Sequence, residues 1–297
     1  MAVAPASSKP APVDGSDSKE QATYLLVAID GTLSEDYHAG GNISSVRGFF
    51  DSFGDRNSTR KFYHRGPGVS GGDLRSIPQV RFNLTDDVVR LYATGACSFG
   101  AVSRLACRGV GEIAVKAHDA VRSMLDSEPS ARIVIVGHSR GGLIATNLAA
   151  KLGDSGRKVW FLGLYDAVDM ALFMDAPLIP DNVEHAAHAK RDPRLFSRAR
   201  WKNCSGIAGH NSERHFEKRF FGTHSAIGGA AGKGCRQVND LLRIQKDGET
   251  IFRIRRDSGT SGSDHCAVEL SAGQNEVARR QADDFVRSHA RRVGVPV

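Results

Sequence analysis

Short, continuously apolar runs recur along the chain, and each stops at glycine or at an acidic residue. The first, TYLLVAIDGT (23–32), reads as a buried strand whose carboxyl end lies at Asp30–Thr32. RKFYHRGPG (60–68) is a second, shorter strand; ARIVIVG (131–137) is a third; RKVWFLGLYDAV (157–168) is a fourth, ending near Asp166. Between them the period lengthens. In GEIAVKAHDAVRSMLDSE (111–128), Ile113, Ala117, Val121 and Leu125 fall on one helical face at steps of four. GGLIATNLAAKLG (141–153) is a helix closed by glycine. EKRFFGTHSAIGG (217–229) offers a fifth strand, TIFRIRR (250–256) a sixth, and GQNEVARRQADDFVRSHARR (273–292) a final amphipathic helix.

Strands without alternation are buried on both faces. Alternating with helices, they predict an α/β fold of the α/β-hydrolase kind: a mostly parallel sheet flanked by helices. The remaining stretches fill in around this frame. Residues 33–60 read as a long loop with one short helix. LTDDVVRLYATG (84–95) has helical spacing with Thr85 as N-cap. Residues 169–216 have little strand character and much His, Arg and Ala, so they are expected to form a helical insertion, a lid over the sheet's edge. Residues 1–22, rich in Ala, Pro and Ser, read as a flexible tail before one domain over 23–297.

Composition narrows the function classes. The chain is 40% hydrophobic and 25% charged, with a net charge of +7. Its Lys and Arg are scattered, RIRR (253–256) being the densest cluster, and no basic stripe carries interleaved aromatics; nucleic acid is not an expected partner. The five cysteines, Cys97, Cys107, Cys204, Cys235 and Cys266, form no CxxC pair, so no zinc site or redox motif is expected. Free thiols are the favoured reading, with Cys97 and Cys107 close enough in sequence to pair in an oxidising compartment. Sequons stand at Asn42, Asn57, Asn83 and Asn203. The N-terminal stretch has no apolar signal core, and no run reaches the roughly 18 apolar residues of a membrane helix. The expected location is the cytoplasm, or outside it by a signal-independent route.

The candidate chemistry lies at the end of the third run. Gly137-His138-Ser139-Arg140-Gly141 fits G-x-S-x-G between a strand and a helix, the context of a nucleophile elbow; a glycine-rich phosphate-binding turn is the bland alternative. A serine needs a base, and the base an orienting acid, here in the order Ser, acid, His. Asp166 at the next strand's end is the favoured acid over nearby Asp169. Two histidines compete evenly for the base: His224 in FFGTHSAIGG and His265 in GSDHCAVEL. His188, His210 and His215 fall in the expected insertion and are read as solvated or lid residues. The oxyanion hole calls for the backbone N–H of Arg140 and a second donor from the DGT turn, Gly31 or Thr32, with Asp30 as a brace or a plain turn residue. Two further readings follow: a binding protein that keeps the fold without catalysis, and a nucleotide-binding protein, suggested by GGAAGKG but failing the P-loop spacing at Ile227 and Gly234. No metal or cofactor is called for.

LLVAIDGT, FYHRGPG, VIVGHSRGG, FLGLYDAV, HAAHAKRDPRLF and FFGTHSAIGG occur in this order over residues 25–229. Together they resemble an α/β-hydrolase family that includes the catalytic domain of type VI secretion phospholipase effectors. The resemblance implies a triad of Ser139, Asp166 and His224, selecting His224 over His265. It also implies ester hydrolysis with lipids as substrates, contact with a membrane surface, and secretion-apparatus or immunity partners. The chain departs from the family pattern at Ala226, where an acidic residue is common, at Ala167, where threonine is common, and in AAGKG, where an aromatic usually follows the glycines.

Overall fold

The computed structural model describes residues 22–31, 43–54, 60–66, 100–169, 178–195, 197, 202–230, 234–237, 241–246, 249–254 and 265–297. The helix expected over 84–95, Cys97 and most of the N-terminal tail lie outside them.

A six-stranded sheet organises the chain. Its strands are β1 (Tyr24–Ile29), β2 (Arg60–His64), β3 (Arg132–His138), β4 (Val159–Tyr165), β5 (Val183–Arg191) and β6 (His215–Phe220), in the spatial order β2-β1-β3-β4-β5-β6. Every pairing is parallel. Parallel strands need crossovers, and helices supply them: α1 (Ser45–Ser52), α2 (Gly100–Ser127) and α3 (Arg140–Asp154), with the short α4 (His224–Ile227) and the terminal α5 (Ala272–Arg292) after the last strand. Successive side chains of one strand therefore enter two different cores. Leu25, Val27 and Ile29 join Ile113, Ala117 and Val121 of α2 and Leu143 and Leu148 of α3. Leu26 and Ala28 join Val46 and Phe49 of α1 and Ala278, Ala282, Val286 and Ala290 of α5. Helix α5 starts with a capping box between Ser271 and Gln274.

Three expectations are corrected. The described part of residues 169–216 is not a helical insertion. It contains β5, VEHAAHAKR, an inner strand of the sheet, in register with β4 from Val159↔Val183 to Tyr165↔Ala189. Its Ala186, Ala187 and Ala189 are buried. Their small side chains leave room for the cores on both faces, including the alanine-rich face of α5. Next, TIFRIRR does not join the sheet: β8 (Glu249–Ile254) pairs with β7 (Leu241–Lys246) in a separate antiparallel hairpin. Finally, Cys235 and Cys266 are not free thiols. Arg236–Gln237 and His265–Cys266 run side by side, bringing the two cysteines to a Cα separation of 5.8 Å, and they form a disulfide. Cys204 is buried. Among the described residues no helix is long and apolar enough to cross a membrane.

Candidate active site

All strands point the same way, so their carboxyl ends share one edge of the sheet. That edge collects Asp30 after β1, Ser139 after β3, Asp166 after β4, Arg191 at the end of β5 and His224 shortly after β6.

Ser139 sits between β3 and α3 with φ 56° and ψ −126°, outside the regions comfortable for a side-chain-bearing residue. Two contacts hold the turn: the Ser139 N–H donates to the Tyr165 carbonyl (3.1 Å), and the Val168 N–H donates to the Ser139 carbonyl (3.1 Å). The flanking glycines are needed because backbones meet there. A Cβ on Gly141 would lie 2.3 Å from the carbonyl oxygens of Ile29 and Asp30, and one on Gly137 would lie 2.5 Å from that of Gly141. Ser139 therefore stands on a strained, closely packed strand-to-helix turn.

His224 opens α4, whose N-cap Thr223 accepts from the Ala226 N–H (3.2 Å). The His224 N–H donates to Ser197 Oγ at 3.0 Å. Its ring joins serine to aspartate: Nε2 is 3.0 Å from Ser139 Oγ, and Nδ1 is 2.7 Å from Asp166 Oδ2. The three side chains are buried. With Nδ1 donating to the Asp166 carboxylate, a neutral ring turns its Nε2 lone pair toward the serine.

Asp166 also has a positive φ, 44°. Its carboxylate accepts from Arg191 Nη1 (2.5 Å to Oδ2), from the Arg191 N–H (3.2 Å to Oδ1) and from Asn203 Nδ2 (2.6 Å to Oδ1). Burial pushes this carboxyl up, but the Arg191 charge and the His224 and Arg191 hydrogen bonds outweigh it and hold Asp166 well below the usual carboxylate range. Behind it, the Ala167 N–H donates to His188 Nε2 (3.1 Å), and His188 Nδ1 faces the Ser205 carbonyl (3.3 Å). Burial, with Lys190 adding to it, lowers the His188 pKa to about 3, so the ring is a neutral brace.

On the serine's other side, Asp30 is a brace and not a plain turn residue. Its carboxylate accepts from the Ser44 hydroxyl, from Tyr63 Oη (2.9 Å) and from the Gly31 N–H (2.9 Å). The Gly31 N–H, one of the two donors expected of the DGT turn, is thus turned to the Asp30 carboxylate in this structure. Thr32 lies outside the described residues. Arg140 opens α3, so its N–H stands at that helix's N-terminus directly after the serine. His138, within the elbow, stacks on His224 with ring centroids 5.0 Å apart. Burial, with His224 nearby, takes its pKa down to about 4.

The structure brings Ser139, Asp166, His224, Gly137, Gly141, Arg140 and Gly31 to one place. The Asp169 backbone pairs with Lys202, and that of His265 with Arg236. His210 is exposed and paired with Asp181, as a solvated residue should be. His188 and His215, read as solvated, are buried instead, because β5 and β6 are sheet strands. Arg191, Asn203, His188 and Ser197 escaped the sequence reading. Asn203 was visible only as a sequon, and Arg191 as the charged end of a segment with no strand signature. Among the described residues no group of three or more His, Cys, Asp or Glu side chains is arranged to hold a metal.

A parallel sheet with a strained serine turn after one strand, then an aspartate and a histidine in chain order, makes an α/β-hydrolase-like fold. No family model matches the chain, and no curated protein matches it. Solved structures similar to it include the NocB thioesterase domain from the nocardicin cluster, at 15% identity over 70% of this chain and 86% of that one, with a TM-score of 0.36. RedJ, with a polyethylene glycol molecule bound in its active site, is similar at 17% identity over 77% of this chain and 92% of that one, with a TM-score of 0.34.

Proposed function

We propose that this chain is a serine hydrolase of carboxylic esters, acting on acyl lipids. The supporting observation is the hydrogen-bonded line from Ser139 Oγ through His224 to Asp166, at 3.0 and 2.7 Å, with the serine on a strained turn at the sheet's edge. Ser139 attacks the ester carbonyl as His224 Nε2 takes its proton. Asp166 holds the ring by Nδ1–H and stabilises the imidazolium that forms. The Arg140 N–H receives the developing oxyanion. With Gly31 engaged by Asp30, Thr32 is the second donor that the DGT turn offers. The imidazolium then protonates the departing alcohol, and a water activated by the same histidine releases the acid.

The lipid assignment rests on the ordered motif set over residues 25–229 and its resemblance to phospholipase effectors. By the same resemblance the proposed partners are a membrane surface, a secretion apparatus and an immunity protein, with export by a signal-independent route. The test compares wild type with Ser139→Ala on short-chain acyl esters and on phospholipid vesicles, with a fluorophosphonate probe on both. Stoichiometric labelling at Ser139 and a loss of about 10³-fold or more in the variant are expected. Full activity in Ser139→Ala, or no labelling of a folded wild type, overturns the reading. Cleavage of short esters without cleavage of lipids overturns the lipid assignment alone.

A further inference from the structure

One buried side chain contacts the proposed triad without being a member of it. Arg191 ends β5, and the register Tyr165↔Ala189 carries it alongside the turn that presents Asp166. Its Nη1 lies 2.5 Å from Asp166 Oδ2, the oxygen that also accepts from His224, and 3.4 Å from His224 Nδ1 itself. The side chain is 6% exposed. In an acid–histidine pair without such a neighbour, protonating the ring turns a lone carboxylate into an ion pair. Here the carboxylate is already paired, and protonation sets a second cation beside the first.

Among the described residues, the other groups around His224 add no second negative charge beside the ring. From β3, His138 stacks on the ring. Asp30, after β1, is 3.9 Å from His138 Nδ1 and lies beyond that ring. From the start of α3, Arg140 is a second buried cation next to the serine. Behind Asp166 stands His188, a neutral ring, and Asp192 is paired with Arg194. From α5, the group that reaches this segment is Asn275, an uncharged amide accepting from the Thr223 N–H.

We propose that Arg191 is a positioning residue that tunes the general base: by sharing Asp166 it keeps His224 neutral into the acidic range, so that ester hydrolysis persists below the pH at which a free imidazole protonates. The inference rests on the serine-hydrolase reading for its consequence, but its charge coupling can be measured without catalysis. The ring of His224 is titrated by carbon-13 NMR of histidine-labelled protein, at pH values where the circular dichroism shows the fold intact. The acid limb of kcat/KM on a short-chain ester is recorded in parallel. Wild-type His224 is expected to titrate below about pH 6, against about 6.5 for a free imidazole. Arg191→Met, which keeps length and removes charge, is expected to raise the midpoint and the acid limb by about one pH unit, a tenfold change in protonation equilibrium. Arg191→Lys, which keeps the charge, is expected to stay within about 0.3 unit of wild type. A wild-type midpoint at or above about pH 6, or a rise of less than about half a unit in a folded Arg191→Met, overturns the proposal. If Arg191→Met does not fold, the wild-type midpoint decides alone. If no ester is cleaved, the function reading fails while the titration still decides whether Arg191 sets the ring's protonation.

Discussion

Replacing Asp166 by asparagine tests the charge arrangement of the site most directly. The carboxylate receives four hydrogen bonds, from Arg191 Nη1, the Arg191 N–H, Asn203 Nδ2 and His224 Nδ1. Asparagine has one acceptor oxygen and one NH₂ group, so whichever way it turns the NH₂ faces two donors. The cheaper orientation points the NH₂ toward Asn203, whose own amide can flip to accept. The larger loss is electrostatic, because the buried Arg191 guanidinium loses the Asp166 charge beside it. Breaking one side of a buried pair costs about 3–5 kcal/mol. With an unfolding entropy of about 2.1 cal/mol/K per residue over 297 residues, that lowers Tm by about 5–8 °C. Removing both charges, in Asp166→Asn with Arg191→Met, removes that loss, so the double variant should be about 2 kcal/mol or more better than the sum of the singles. Activity should not recover: without the carboxylate the histidine loses its tautomer, and rates should stay about 10³–10⁴-fold down in both. Thermal and urea unfolding followed by circular dichroism, with esterase rates on the same preparations, measure all of this. An Asp166→Asn protein melting within about 1 °C of wild type, or strict additivity in the cycle, would refute the view that Arg191 depends on Asp166 as its buried counter-charge.

Three further outcomes are expected. His138 and His188 are held neutral, their pKa values taken down to about 4 and about 3, whereas both bind protons near 6.5 once unfolded. The unfolded chain therefore binds more protons, and stability should fall as pH drops from about 6.5 toward 4, by up to about 2.7 kcal/mol per pH unit. The depressed Asp166 adds loss in the same direction below the ordinary carboxylate range. Urea midpoints that stay flat across this window contradict the burial of the two rings. His265→Ala should leave ester turnover within about twofold of wild type while His224→Ala loses about 10³-fold or more; similar losses in both would remove the proposed base. The Cys235–Cys266 bridge spans 31 residues, so replacing both cysteines by alanine should cost about 3–4 kcal/mol, read from denaturant curves with and without reductant. Identical curves would mean that the bridge does not form.

The sheet was legible where burial and composition agree. β1, β3 and β4 face two cores and are continuously apolar, so runs such as LLVAI and RIVIV announce them. β5 faces the same two cores, but fills its share of them with alanine. Alanine carries no strand preference, and the histidines and terminal basic residues of VEHAAHAKR resemble solvated helix. TIFRIRR failed in the opposite sense: its pattern correctly announced a strand, but periodicity does not say which neighbour a strand pairs with, and a hairpin partner lay close in sequence. The cysteine pair was hidden for a related reason. Its 31-residue separation closes only because two short parallel segments meet beside Leu195 and Leu270.

The same strand explains what was legible at the site. Ser139 and Asp166 follow recognised strands, so chain order and strand ends were enough to propose them. Chain order and position left His224 and His265 even, and the resemblance alone chose between them. His224 follows the strand that pairs with β5, and that neighbour was itself unrecognised. Arg191 and Asn203 could not be read at all. Arg191 gains its meaning from the offset between β4 and β5, which brings it level with the turn after Tyr165. Asn203 gains its meaning from the short pairing of Val168–Asp169 with Lys202–Asn203, which holds its amide against the Asp166 carboxylate. Overlooking β5 and overlooking the cation beside the proposed base are therefore one omission. A segment poor in strand signal was free to carry charge at its end, and the parallel register delivered that charge to the aspartate that also bonds the proposed base.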